Sequence, residues 1–134
     1  GGTPDAIKQT ITEGRNGVMP PMAAAVGGAE DVRNVAQYVL SLSGSPHDAV
    51  MANLGKPKFA ACAACHGPEG KGNQALGAAN LTDKVWLYGS SEATITETVT
   101  GGRSNRMPAF EEFLGDAKVH LLSAYVLGLS SGAK

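Results

Sequence analysis

Cys62, Cys65 and His66 stand together as Cys62-Ala63-Ala64-Cys65-His66. At this spacing on a helical turn the two thiols can each form a thioether to a vinyl group of one porphyrin, while the adjacent imidazole turns under its iron. C-x-x-C-H is therefore read as the attachment site of one covalently bound haem c.

Other uses of a Cys pair fit less well. A structural zinc site wants about four ligands; the chain has no second Cys pair, and His47 and His120 stand alone in loop or apolar contexts. A thioredoxin-like pair needs a preceding strand and a βαβ pattern, whereas these flanks read as helix.

Haem iron in an electron carrier wants a sixth ligand, and a thioether is a soft, neutral donor that favours ferrous iron. Of the four methionines, Met107 lies downstream of the haem motif in Gly101-Gly102-Arg103-Ser104-Asn105-Arg106-Met107-Pro108, where Pro108 keeps the segment extended. A methionine in a Gly-rich, Pro-stopped segment is badly placed to fill a core, so Met107 is taken as the distal ligand. Trp86 is a candidate donor to a haem propionate through its indole N–H, against a reading as core. Arg103 is a candidate to neutralise a propionate, against a reading as a solvated loop cation.

The elements that must position these residues are mostly helices. Thr3-Pro4-Asp5 is a cap with Pro at the first helical position, opening a helix over 3–14 with Ile7 and Ile11 one turn apart. Residues 15–28 read as loop. The stretch 31–42 puts Val32, Val35, Val39 and Leu42 on one face and stops at Gly44, and Ser45-Pro46 reads as a linker. Next comes a helix that Gly55-Lys56-Pro57 is expected to interrupt, and a second stretch from Lys58 into the Cys pair. Gly67-Pro68-Glu69-Gly70-Lys71-Gly72 is irregular and is expected to wrap the haem edge. Thr82 or Asp83 is expected to cap a short helix through Trp86, and Ser91 to start another carrying Ile95 and Val99 inward. A final helix over 115–129 is expected to close the domain with Val119, Leu122, Val126 and Leu129 on its core face.

This order resembles a class I cytochrome c domain over residues 47–131, which implies an all-α fold. Gly55 and Phe59 precede the Cys pair as in that family's N-terminal helix, and Tyr125 falls where an aromatic packs across the closing helix. The resemblance implies that these helices cross beside the haem, the Gly letting their backbones approach.

The chain also repeats itself. Thr12-Glu13-Gly14-Arg15-Asn16-Gly17-Val18-Met19-Pro20 matches Thr100-Gly101-Gly102-Arg103-Ser104-Asn105-Arg106-Met107-Pro108, and after a one-residue slip Tyr38-Val39-Leu40-Ser41-Leu42-Ser43 matches Tyr125-Val126-Leu127-Gly128-Leu129-Ser130. The expected division is thus 1–46, the back half of one cytochrome module without a haem motif, and 47–134, a complete one. Met19 is expected to be unligated in a simple monomer. The apolar face of 31–42 is expected to bury itself on the complete module or on a second copy, a possible homodimer in which Met19 could reach a neighbour's iron.

Such a tandem, with Asn80-Leu81-Thr82-Asp83-Lys84-Val85-Trp86-Leu87-Tyr88-Gly89 in the second module, is similar to the dihaem subunit of cbb3-type haem-copper oxidases. That resemblance implies a membrane-anchored parent passing electrons toward the catalytic subunit, of which this chain looks like a C-terminal fragment. The implied compartment is periplasmic, because bacteria attach haem covalently outside the cytoplasm.

Composition is consistent with this. Aromatics are only 5% of the 134 residues, which suits a small core filled largely by a porphyrin. No segment approaches the ~18 apolar residues of a membrane span. Eleven basic residues balance twelve acidic ones, leaving no basic stripe for nucleic acid. The expected function is one-electron transfer with redox partner proteins, not catalysis. The rivals are a haem enzyme or gas sensor with an open distal site, and a structural subunit whose haem is incidental.

Overall fold

The computed structural model describes residues 2–132 and contains eight helices and one two-stranded sheet among them. In chain order these are α1 (Pro4–Glu13), β1 (Arg15–Met19), α2 (Ala23–Val26), α3 (Ala29–Leu42), α4 (Ala49–Lys58), α5 (Ala60–His66), α6 (Glu92–Gly101), β2 (Arg103–Met107), α7 (Glu111–Leu114) and α8 (Asp116–Ser130). The all-α class holds, with a small sheet added where loops were expected. The Met-Pro segments are extended, and extended backbone finds its hydrogen bonds by pairing.

The repeat is visible in the elements. Thr3 caps α1 through a bond from the Ala6 N–H, and Ser91 caps α6 through one from Thr94. Arg15 Nε donates to Thr10 Oγ1 at 2.5 Å, and Arg103 Nε to Thr98 Oγ1 at 3.0 Å. Thus α1-β1-α2-α3 and α6-β2-α7-α8 are two copies of one pattern, and α4-α5 lies between them.

The chain forms two compact units, and they do not coincide with the sequence modules. The central unit runs from Val18 to Ser104, and the terminal unit joins the residues up to Gly17 with those from Asn105 onward. In the central unit α3 packs against α4 and α6, and in the terminal unit α1 packs against α7 and α8. Each copy's first helix is therefore packed by the other copy's closing helix. Two hydrogen bonds mark the exchange: Met22 N–H to the Val99 carbonyl at 2.8 Å in the central unit, and Phe110 N–H to the Ile11 carbonyl at 2.9 Å in the terminal one. The Gly102 Cα, at φ 70°, lies against the Met19 carbonyl and Pro20, and Gly14, also at φ 70°, lies against Met107 and Pro108. Side chains at either glycine would collide with that backbone, and the crossed approach shows that β1 and β2 run antiparallel.

The core of the central unit is built from Val26, Val32, Val35, Ala36, Val39, Leu40, Phe59, Cys62, Ile95 and Val99. The face expected on 31–42 is thus buried within the chain itself, and no second copy is needed to cover it. Gly55 lies directly on the backbone of Asn34 and Val35, a close helix approach that a Cβ would block. Tyr38 meets Phe59 edge-on, with ring centroids 5.2 Å apart. It takes the place anticipated for Tyr125, which is exposed in the terminal unit.

The closing-helix expectation for α8 is corrected accordingly. Val119 is fully buried there, but Leu122, Val126 and Leu129 are exposed, because α3 is the helix that packs along α4. Two local expectations also change. Pro57 does not break α4, which continues to Lys58. No helix forms through Trp86: Asn80 Oδ1 accepts from the Thr82 N–H and Asp83 Oδ1 from the Val85 N–H, side-chain turns that compete with helix.

Candidate haem site

Phe59 separates α4 from α5 and anchors α5 in the core, so the helical turn that follows presents the Cys pair in a fixed register. Cys62 is buried and Cys65 exposed, and both are free thiols. Burial, and then the neighbouring Cys65, push the Cys62 thiol above its ordinary pKa. His66 is the last residue of α5, and Gly67 at φ 80° turns the chain away.

The ring of His66 is oriented by the loop it opens. Nδ1 lies 2.8 Å from the Ala79 carbonyl, and because a carbonyl only accepts, Nδ1 carries the proton and Nε2 keeps its lone pair for a metal. The loop is closed by Gly72 N–H to the His66 carbonyl and Leu81 N–H to the Gly70 carbonyl, each 2.7 Å, and by the bridge between Asn73 and Ala78.

Downstream, Val85 and Leu87 are each 82% exposed, and Leu76 and Tyr88 are also open. Free thiols, an oriented imidazole and uncovered apolar side chains in one unit fit a large planar apolar group bearing a metal. Among the described residues no cluster of three or more His, Cys, Asp or Glu could hold a metal ion by itself.

The structure places the two methionines of the Met-Pro segments in different units. Met107 lies in the terminal unit, 38% exposed, and is not brought into the unit of His66. Met19 is: it lies half-buried in the central unit, packed against the core cluster that contains Phe59 and Cys62. The repeat makes Met19-Pro20 the copy of Met107-Pro108.

Trp86 is half-buried against the same core. Arg103 is held by Thr98, by Glu97 at 3.6 Å and by the Tyr88 ring, 4.1 Å from its centroid. Its copy Arg15 makes the same threonine bond, which favours a structural role for both. His47 Nδ1 lies 2.8 Å from the Ser45 carbonyl and His120 is exposed, so neither joins the site.

Helices crossing at a glycine, with C-x-x-C-H at the end of the second, define a class I c-type cytochrome. Residues 56–126 match the family described as cytochrome C oxidase, cbb3-type, subunit III. Over 130 residues the chain is 62% identical to the cbb3-type cytochrome c oxidase subunit CcoP of Rubrivivax gelatinosus, covering 97% of this chain and 43% of that one. It is 46% identical to subunit FixP of Azorhizobium caulinodans (98% of this chain, 48% of the relative) and 40% identical to CcoP of Cereibacter sphaeroides (98% and 49%). The chain belongs to the cbb3-type oxidase subunit III family and spans about half the length of these relatives. Membership brings haem c as the covalent cofactor, and Cys62, Cys65 and His66 are the residues that fit it.

Proposed function

We propose that this chain transfers single electrons through haem c held by Cys62 and Cys65, with His66 and Met19 as the axial residues, and that its parent subunit delivers those electrons to a cbb3-type oxidase. The haem, when bound, supplies the ferric/ferrous couple. Cys62 and Cys65 anchor it, the Ala79 carbonyl orients His66, and the Met19 sulfur is a soft donor that stabilises the ferrous form. The buried side chains of Phe59, Val35 and Val39 exclude water behind the site. Trp86 is read as a propionate partner through its indole N–H; for Arg103 we prefer the structural reading.

The observation that carries the ligand assignment is the packing of Met19 in the unit that holds Cys62 and His66. Met107 occupies the copied position in the terminal unit, which has no C-x-x-C-H among the described residues. It is read as the sixth ligand of a haem attached by another segment of a longer subunit. The relatives' names support a cbb3-type oxidase as the setting and other oxidase subunits as the partners, and the haem domain is read as periplasmic because bacteria attach haem c outside the cytoplasm. No described helix is long and apolar enough to cross a membrane.

The test is ligation in the haem-loaded chain. Met19→Ala should open the iron to carbon monoxide and lower the potential, whereas Met107→Ala should do neither. The reverse result restores Met107 as the ligand. Oxygen or peroxide turnover by the isolated protein would replace electron transfer with the enzyme reading.

A further inference from the structure

The helices α3 and α8 are copies, and only α3 closes the unit that carries Cys62, Cys65 and His66. Both use the same inner stripe: Val32 and its copy Val119 are fully buried, as are Ala36 and Ser123 one turn on. They differ on the adjoining stripe. Gln37 is 6% exposed and uses both ends of its amide. Its Nε2 donates to Glu92 Oε2 at 2.8 Å, and its Oε1 accepts from the Asp48 backbone N–H at 2.8 Å. One turn earlier, Arg33 Nε donates to Glu92 Oε1 at 3.2 Å. Since Asp48 caps α4 and Glu92 opens α6, one buried side chain ties α3 to the starts of both helices it packs against. The corresponding residues of α8 are Ala124 for Gln37 and His120 for Arg33. A methyl group can answer neither the Asp48 N–H nor the Glu92 carboxylate, so the bridge from α3 to both helix starts has no counterpart on α8.

We propose that Gln37 is a positioning residue for the haem iron: with Arg33 it recognises Glu92 and Asp48, selects α3 over α8 as the closing helix of the haem-bearing unit, and thereby selects Met19 over Met107 as the sixth ligand. This rests on the reading of Met19 as that ligand. Apolar burial alone does not make the choice, because α8 offers Leu121, Leu122 and Val126 where α3 offers Asn34, Val35 and Val39, a surface at least as apolar. An amide that bridges both partner helices in one pairing and has no counterpart in the other discriminates between two otherwise similar helices, as a single polar residue does in coiled-coil pairing.

The experiment follows the far-red band of the ferric haem that reports methionine-sulfur ligation, in the haem-loaded chain, with Met19→Ala or Met107→Ala as the reporter. In the wild type the band should vanish with Met19→Ala and survive Met107→Ala. Moving the amide from α3 to α8, as Gln37→Ala with Ala124→Gln, should make the band sensitive to Met107→Ala. Glu92→Ala should shift ligation in the same direction, and Glu92→Gln, which keeps an acceptor for the amide, should restore the wild-type pattern.

A transferred chain that still depends wholly on Met19 would show that the 43–48 connection makes the choice, and would overturn the proposal while leaving the ligand reading intact. A wild-type band lost with Met107→Ala instead would overturn the ligand reading itself. If the double variant does not hold a folded haem, Gln37→Ala alone decides: a fraction of the band surviving Met19→Ala supports the proposal, and complete loss overturns it.

Discussion

Cys62 and Cys65 are three residues apart and chemically unlike. Burial, together with its neighbour, raises the Cys62 thiol, and Cys65 faces solvent. In the haem-free folded chain the exposed Cys65 should therefore react first with an alkylating reagent, and Cys62 should catch up only as pH rises toward its raised value. Mass spectrometry of partly alkylated protein reads this directly, and equal rates at every pH would mean that the haem-free chain does not hold this fold. The same shift has a stability sign. A thiol whose folded pKa is raised stabilises the fold fully below its unfolded pKa, and that contribution is lost as pH climbs through the folded one. Once thioethers form, both thiols are consumed and this dependence should disappear. The haem should then survive acid-acetone extraction, and Cys62→Ala with Cys65→Ala should release it.

At the scale of elements, the contact between α3 and α4 depends on Gly55. Its Cα lies on the Asn34 carbonyl and the Val35 nitrogen, so Gly55→Val must push the helices apart. Overpacking of this kind costs about 1–3 kcal/mol, and denaturant unfolding of the haem-loaded chain should show it. The ribbon offers a paired comparison. Gly102 approaches Met19-Pro20 in the central unit and Gly14 approaches Met107-Pro108 in the terminal one, both at φ 70°. Gly102→Ala adds a side chain where left-handed backbone and close contact both oppose it, and should weaken the sulfur–iron band. Gly14→Ala should leave that band in place. Equal effects on the band would argue against Met19 as the ligand. The Met-Pro segments were legible as extended from Pro20 and Pro108 alone, but their pairing was not, because a strand's partner is a long-range choice that local sequence does not encode.

For the whole molecule, the repeat makes two positions equivalent in sequence and opposite in environment. Val35 on α3 is fully buried, whereas its copy Leu122 on α8 is 40% exposed. Val35→Asp would bury a charge without a partner and should unfold the central unit, with loss of the native haem spectrum. Leu122→Asp at an open position should change stability by no more than about 0.5 kcal/mol. Circular dichroism and the haem spectrum of the two variants give the answer, and a haem domain destroyed by Leu122→Asp would make α8 the closing helix after all.

What the sequence determined by itself is the chemistry and the parts. C-x-x-C-H states covalent haem attachment, Thr3 and Ser91 announce their helices, the 3.6-residue stripe of Val32, Val35 and Val39 marks a buried face, and the copied Met-Pro segments reveal a duplicated pattern. These signals are local, each set by a side chain acting on its own turn or its own helix face. What only the tertiary structure decided is which closing helix packs in which unit. Met19 and Met107 both stand in a Gly-Arg-x-x-x-Met-Pro segment followed by an apolar-striped helix, so that shared pattern does not say which closing helix meets α4. The α3–α4 pairing is made by contacts between residues distant in sequence: the bare backbone of Gly55 against Asn34, and the amide of Gln37 between Asp48 and Glu92. Reading one module at a time keeps Met107 with His66, whereas packing and hydrogen-bond satisfaction across the whole chain put Met19 in that unit.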